Sequence, residues 1–206
     1  MNRIELSLTA SQPHFIGAWN LDKPELCAEL IKFFETQKFN QTQGQTAGGL
    51  NLDAKNSTDL AIRPYDLARP DHQPVRDYLD ALFTCYQDYL EQWPFLKSIL
   101  AQVDIGSFNI QRYQPGGHFQ KIHSERTTVG TSHRVLAWMT YLNDIAEGGS
   151  TSFLHQGLEV QPQQGKTLIW PGEWTHAHRG NVVISGTKYI ITGWMHFPPV
   201  KHARSE

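Results

Sequence analysis

The chain has 206 residues, 39% of them hydrophobic and 11% aromatic, which suits one domain with a substantial core and excludes a disordered chain. A formal net charge of −2 gives no argument for a nucleic-acid or anionic-membrane partner, and no apolar run approaches the length of a membrane span. Cys27 and Cys85 are the only cysteines and both fall in segments that read as helical, so a reducing cytoplasm fits better than a disulfide framework.

The start, Met1-Asn2-Arg3-Ile4-Glu5, is expected to lack the apolar core of a secretory signal, because Glu5, Ser7 and Gln12 interrupt it. Asp22-Lys23-Pro24-Glu25 reads as a helix start, with Asp22 as the cap, an early proline and an acidic first turn. Leu26, Leu30, Ile31, Phe33 and Phe34 then recur at helical spacing and predict a helix over 24–37. Residues 40–60 are rich in Gln, Gly, Asn and Thr and read as a loop of a length that often carries function. Asp71 to Pro74 opens a second helix, with Val75, Leu79, Leu82, Phe83, Tyr86 and Leu90 on one face and an end near Trp93-Pro94.

Beyond about residue 100 the pattern changes to short β-rich runs. They cover 108–113, 134–142, 151–154, 158–160, 167–170 and 188–197. Gly116-Gly117, Gly148-Gly149, Pro171-Gly172 and Ser185-Gly186 mark the turns between them. Helices first and strands later predict a single, mainly β domain over 1–206. Residues 1–100 would give helical support and a substrate loop, and 101–200 a jelly-roll core.

One set of polar residues in the second half carries chemistry: Tyr113, His123, Glu125, His178 and Lys188. His123 and Glu125 lie two apart, so on an extended strand they share a face. Two histidines and a carboxylate from two strands can take three neighbouring corners of an iron octahedron and leave the others open. His176 competes with His178 for one corner, and the spacing to Lys188 favours His178. Period-2 alternation puts Lys188, Ile190, Thr192 and Trp194 on one face, where only a buried anion justifies a lysine among apolar neighbours. Arg126, Arg134 and Trp138 read as structural residues near the mouth. His14, His72, His133, His155 and His202 read as surface or locally hydrogen-bonded histidines.

The wider pattern resembles a known family. Phe108-Asn109-Ile110-Gln111-Arg112-Tyr113, Gly116 and His123-Ser124-Glu125 are similar to the first metal-bearing block of prolyl-4-hydroxylase-like Fe(II)/2-oxoglutarate-dependent dioxygenases. Tyr141-Leu142-Asn143-Asp144 with Gly148-Gly149-Ser150-Thr151 and Phe153 resembles the family's second block. His178-Arg179-Gly180-Asn181-Val182-Val183 with Gly186 and Lys188 resembles the third. The three blocks span about 105–198.

The resemblance implies a double-stranded β-helix with His123, Glu125 and His178 as iron ligands. It places Tyr113, Tyr141, Lys188, Thr192 and Trp194 around 2-oxoglutarate, with O2 as the second co-substrate and ascorbate as an accompanying reductant. It implies hydroxylation of a C–H bond in a peptide or protein side chain, or in a small molecule, with release of succinate and CO2. A loop over the mouth, 40–60 or 124–133, would shield the chemistry. Two departures stand out: Glu125 replaces the family's usual Asp and is one methylene longer, and Val182 replaces a proline. The competing readings are a catalytically silent jelly-roll binding module that keeps a metal site, and a zinc hydrolase using His176, His178 and Glu125. The absence of a His-Glu-x-x-His sequence weighs against the hydrolase. The sequence leaves substrate identity and oligomeric state open.

Overall fold

The computed structural model describes residues 13–198; the segment read for a signal, residues 1–12, and His202 lie outside them. Strand β1 (Gly17–Asn20) leads into helix α1 (Pro24–Thr36), which buries Leu26, Cys27, Leu30, Phe33 and Phe34. Asp22 does not cap this helix. Its backbone is left-handed, with φ 51°, its N–H donates to Asn20 Oδ1, and Lys23 takes the cap position without a side-chain bond.

Strands β2 (Gln41–Gln43) and β3 (Thr58–Ile62) pair as an antiparallel hairpin, so the region read as one loop is a loop only between them. Helix α2 (Gln73–Gln92) buries Val75, Tyr78, Leu82, Cys85, Tyr86 and Tyr89. Phe83, expected on that face, is half exposed, because a stripe at heptad-like spacing through Tyr78, Cys85 and Tyr89 turns it outward. A short helix α3 (Leu96–Ile99) closes the helical part.

The strands that follow are β4 (Asp104–Ile105), β5 (Phe108–Tyr113), β6 (Phe119–His123), β7 (Arg134–Tyr141), β8 (Thr151–Phe153), β9 (Leu158–Val160), β10 (Lys166–Pro171), β11 (His178–Gly180) and β12 (Lys188–His196). They make two sheets. The larger runs β1-β10-β7-β12-β5-β3-β2, with β4 also on β12, and the smaller runs β6-β11-β8-β9. Every pairing between these strands is antiparallel. The fold is the expected jelly roll, mostly β with few helices. Among the described residues no helix is long and apolar enough to cross a membrane.

Two cores flank the large sheet. On its outer side Leu30, Phe34, Tyr78 and Leu82 of the helices meet Phe108, Ile110, Leu136, Trp138 and Ile191. On its inner side Tyr113, Met139, Tyr141 and Ile190 meet Phe153 and Val183. Strand alternation decides which residue goes where. On β12, Ile191 and Met195 face the helices, whereas Lys188 and Ile190 face inward with Thr192 and Trp194. The same alternation corrects one expectation. Trp138 does not reach the mouth; it packs on the helical side against Tyr78 and Phe108, with ring centroids 5.8 and 5.5 Å away.

Candidate active site

His123 closes β6 and His178 opens β11, and the ladder pairs these two residues directly. Their ring centroids are 4.5 Å apart. Glu125 sits beyond the end of β6, in a bend anchored by the Glu125 and Arg126 N–H groups, which both donate to the Gly172 carbonyl at 3.1 Å. The expectation of a shared strand face is therefore replaced by a bend that folds the carboxylate back toward the histidines.

Glu125 Oε1 lies 3.4 Å from His178 Nε2 and 3.9 Å from His123 Nε2. One ligand atom from each of the three residues falls within 4.8 Å of the others. The opposite ring nitrogens are committed: His123 Nδ1 meets the Lys121 carbonyl at 2.8 Å and His178 Nδ1 meets the His176 carbonyl at 2.9 Å. A carbonyl only accepts, so each Nδ1 carries a proton and each Nε2 is the nitrogen presented to Glu125. Burial pushes His123 down to about 4, with the neighbouring His178 acting the same way. Burial would raise Glu125, but hydrogen bonding and charge from His178, then His123 and the Trp194 indole, outweigh it and bring the carboxyl down to about 2. A carboxylate and two imidazole Nε2 atoms, each able to give up a proton to a metal, are a donor set for a divalent transition metal.

Aromatic rings hold this set in place. Phe119 stacks on His123 at 3.9 Å, and Trp170 and Phe153 lie 5.1 and 5.6 Å from His178. Trp194 donates its indole N–H to Glu125 Oε2 at 2.5 Å, and the Arg134 guanidinium covers the Trp194 ring at 3.7 Å. His176 takes no part. Its Nε2 meets the His14 carbonyl at 2.9 Å and its Nδ1 meets Thr175 Oγ1 at 3.0 Å.

Lys188 pairs across the ladder with Tyr113 and is 3% exposed. Its ammonium donates to the Gly149 carbonyl at 2.8 Å and sits 4.5 Å over the Tyr113 ring. Among the described residues no carboxylate pairs with it, and burial pushes it down to about 7. Gly149 makes this approach available. Its φ of +68° is unfavourable for other residues, and a Cβ there would stand 3.2 Å from Lys188 Cδ. A buried cation without a counter-charge is costly unless an anion meets it.

A cavity of about 760 Å3 joins these groups. His123, Glu125, His178, Tyr113, Lys188, Thr192, Trp194 and Arg134 line it. Tyr141 stands behind the wall: it is fully buried, and its hydroxyl donates to Thr151 Oγ1 at 2.6 Å, so Thr151 reaches the cavity in its place. Thr192 spends its hydroxyl on the Trp138 carbonyl at 2.8 Å. Arg126 turns away into an ion pair with Glu173. Both expected loops reach the cavity, through Thr42 to Gly48 on one side and Thr127 and Thr131 on the other.

Sequence reasoning missed Lys55, Asp59 and Gln111, which also line the cavity. Alternation along β5 gives Asn109, Gln111 and Tyr113 one face, so Gln111 carried a readable signal. Lys55 and Asp59 fell in a stretch whose composition reads as loop, and nothing local marks them.

Residues 108–196 match the family model of the 2OG-Fe(II) oxygenase superfamily. The chain is 29% identical over 75 residues to the human prolyl 4-hydroxylase subunit alpha-1, covering 33% of this chain and 14% of that protein. It is 30% identical over 115 residues to prolyl 4-hydroxylase 13 of Arabidopsis thaliana, covering 43% of this chain and 42% of that one. The chain thus spans less than half the length of either relative.

Among solved structures, a Pseudomonas putida prolyl-4-hydroxylase superposes with a TM-score of 0.67 at 16% identity, over 90% of this chain and 94% of that one. A Trichoplax adhaerens prolyl hydroxylase, in complex with a hypoxia inducible factor peptide fragment, gives 0.68 at 13% identity, over 89% and 84%. Residues 108–196 are thus similar to the 2OG-Fe(II) oxygenase superfamily and prolyl-4-hydroxylase-like in sequence. The cofactor and co-substrates that go with that family are Fe(II), 2-oxoglutarate and O2, and the donor set of His123, Glu125 and His178 fits the metal.

Proposed function

We propose that this protein is an Fe(II)- and 2-oxoglutarate-dependent dioxygenase that hydroxylates a C–H bond, with a peptide or protein side chain as the favoured substrate class and a small molecule as the other. The observation that carries this reading is the union, in one cavity, of the His123–Glu125–His178 donor set and the buried, unpaired Lys188 ammonium. Peptide substrates are favoured by the likeness to a prolyl hydroxylase solved with a peptide fragment. The helices and both sheets share cores, which supports reading the chain as one domain. Two free, buried thiols support a reducing, cytoplasmic setting.

His123 Nε2, His178 Nε2 and a Glu125 oxygen would hold the metal on one side and leave the cavity side free for ligands. Fe(II) with 2-oxoglutarate and O2 supplies the oxidation: one oxygen atom enters the C–H bond as hydroxyl, the other ends in succinate, and CO2 leaves. The protein's own residues bind, orient and exclude water. Lys188 and the Tyr113 hydroxyl would meet the far carboxylate of the co-substrate. Trp194 fixes the angle of Glu125, and the carbonyls of Lys121 and His176 fix the imidazoles. Phe119, Trp170 and Ile190 keep the floor apolar.

Lys188 gives this reading a pH signature. With its ordinary value depressed to about 7, it is charged below that pH and neutral above it. A bound dianion favours the charged form, so binding above pH 7 must draw a proton onto Nζ. We expect 2-oxoglutarate affinity to fall as pH rises above 7. Calorimetry at pH 8, in buffers of different ionisation heat, should show uptake approaching one proton. At pH 6 the uptake should be small.

The primary test is an anaerobic titration of the protein with Fe(II) and then 2-oxoglutarate, followed by the visible charge-transfer band of the ternary complex. A band is expected. A folded protein that binds neither would sink the dioxygenase reading and leave a silent binding module in its place.

A further inference from the structure

We propose that Gln111, locked by Asp59, sets the affinity for 2-oxoglutarate by keeping the Tyr113 hydroxyl proton turned away from it. This rests on the co-substrate role given to Tyr113 above. The observation is a chain of buried hydrogen bonds that the metal and lysine sites do not need. Asp59 accepts from Lys55 Nζ at 2.6 Å, from Ser57 Oγ at 2.7 Å and from Gln111 Nε2 at 3.2 Å. The Tyr113 hydroxyl donates to Gln111 Oε1 at 2.7 Å.

The direction of each bond follows from the chemistry at the inner end. An ion-paired carboxylate has no proton to give, so it takes the amide NH2 of Gln111 and leaves the amide oxygen for Tyr113. Lys55, Ser57, Asp59, Gln111 and Tyr113 are all buried, and the network has little room to rearrange. The backbone of Gly44 lies directly on it: a Cβ there would stand 2.1 Å from Ser57 Oγ and 3.1 Å from Asp59 Oδ1. Burial and then the Asp59 charge push the Tyr113 hydroxyl well above the usual phenol range, so it stays protonated at working pH.

Tyr113 therefore owns one proton and has two claimants for it. To donate to a dicarboxylate beside Lys188 it must leave Gln111 Oε1. Gln111 cannot follow by turning its amide, because its carbonyl would then face the Asp59 carboxylate. The bond to Oε1 is given up in the exchange, and that loss offsets part of the new bond. Gln111 thus sets affinity through the Tyr113 proton, from its own place on the cavity wall. It shifts the response of the site to higher 2-oxoglutarate concentrations.

The test compares anaerobic 2-oxoglutarate titrations of the Fe(II)-loaded wild type, Gln111→Met, Tyr113→Phe and the double variant, read by the visible band and by calorimetry. Gln111→Met should bind 2-oxoglutarate about three- to tenfold more tightly, the size of one neutral hydrogen bond. In the Tyr113→Phe background the same change should have no effect. Should Gln111→Met fold poorly, Lys55→Met/Asp59→Asn releases the amide to turn and is expected to tighten binding too. The proposal is overturned if none of these variants binds more tightly than wild type, or if the gain persists without the Tyr113 hydroxyl. A wild type that binds iron and 2-oxoglutarate while none of these variants shows a gain removes this inference alone. A wild type that does not bind 2-oxoglutarate removes the dioxygenase reading with it.

Discussion

Lys188→Met is expected to load Fe(II) like the wild type and to bind 2-oxoglutarate about a hundredfold more weakly, or worse. The ammonium is buried at the inner end of the cavity, with one carbonyl as its hydrogen-bond acceptor. A dianion bound there meets a charge in a medium of low dielectric. Removing one partner of such a pair costs about 3–5 kcal/mol, because the other charge is left uncompensated. Methionine keeps the stem that packs beside Gly149, so the wall keeps its shape. In the free protein the lysine is itself a burial penalty, so its loss should not lower the melting temperature. Calorimetry gives the affinity and anaerobic metal analysis gives the iron content. An unchanged 2-oxoglutarate affinity would move the anchor to another cation of the cavity wall, Lys55, Lys121 or Arg134.

His178→Ala is expected to abolish stable Fe(II) binding, whereas His176→Ala retains it. The two residues are two apart, yet only His178 directs a free Nε2 at Glu125, 3.4 Å from its Oε1. The His176 ring is bonded at both nitrogens, to His14 and Thr175. A site with three protein ligands that loses one should lose at least roughly a third of its binding free energy, several kcal/mol in a tight site. His176→Ala also leaves intact the carbonyl that orients His178, since that bond comes from the backbone. Its expected effect is at most modest, within the roughly 10- to 100-fold of an outer contact. Iron titration of both variants under argon decides the matter; equal loss in both would leave the two histidines undistinguished and the ligand set unresolved.

The helices and most strands were legible because burial and alternation leave a period in the sequence. Helix α1 and the strands around Tyr113 and Lys188 fall within a residue or two of their expected ends. The spacing of Tyr113, His123, Glu125, His178 and Lys188 could be read because β5, β6, β11 and β12 each carry one or two of these residues at or near a strand end. Three things were not legible. The bend at Glu125 depends on the Gly172 carbonyl, nearly fifty residues away in sequence. The outward turn of Trp138 depends on which side of β7 the helices cover. The Lys55–Asp59 pair sits where polar composition hides a strand, and only the neighbouring β5 explains why Asp59 is buried.

The direct pairing of His123 with His178 has a mechanical consequence. β6 is the edge strand of the small sheet, and its register with β11 shifts between His178 and Gly180. A divalent ion gripped by both histidines is a rivet across the irregular edge seam of that sheet. Ligand that binds only the folded seam lowers the frequency at which it opens. Amide hydrogens of β6 should therefore exchange more slowly once iron is added, before any co-substrate is present. Proteolytic nicking near residues 124–133 should slow in step. Metal supply would then govern how long the strand endures as well as what the cavity can oxidise.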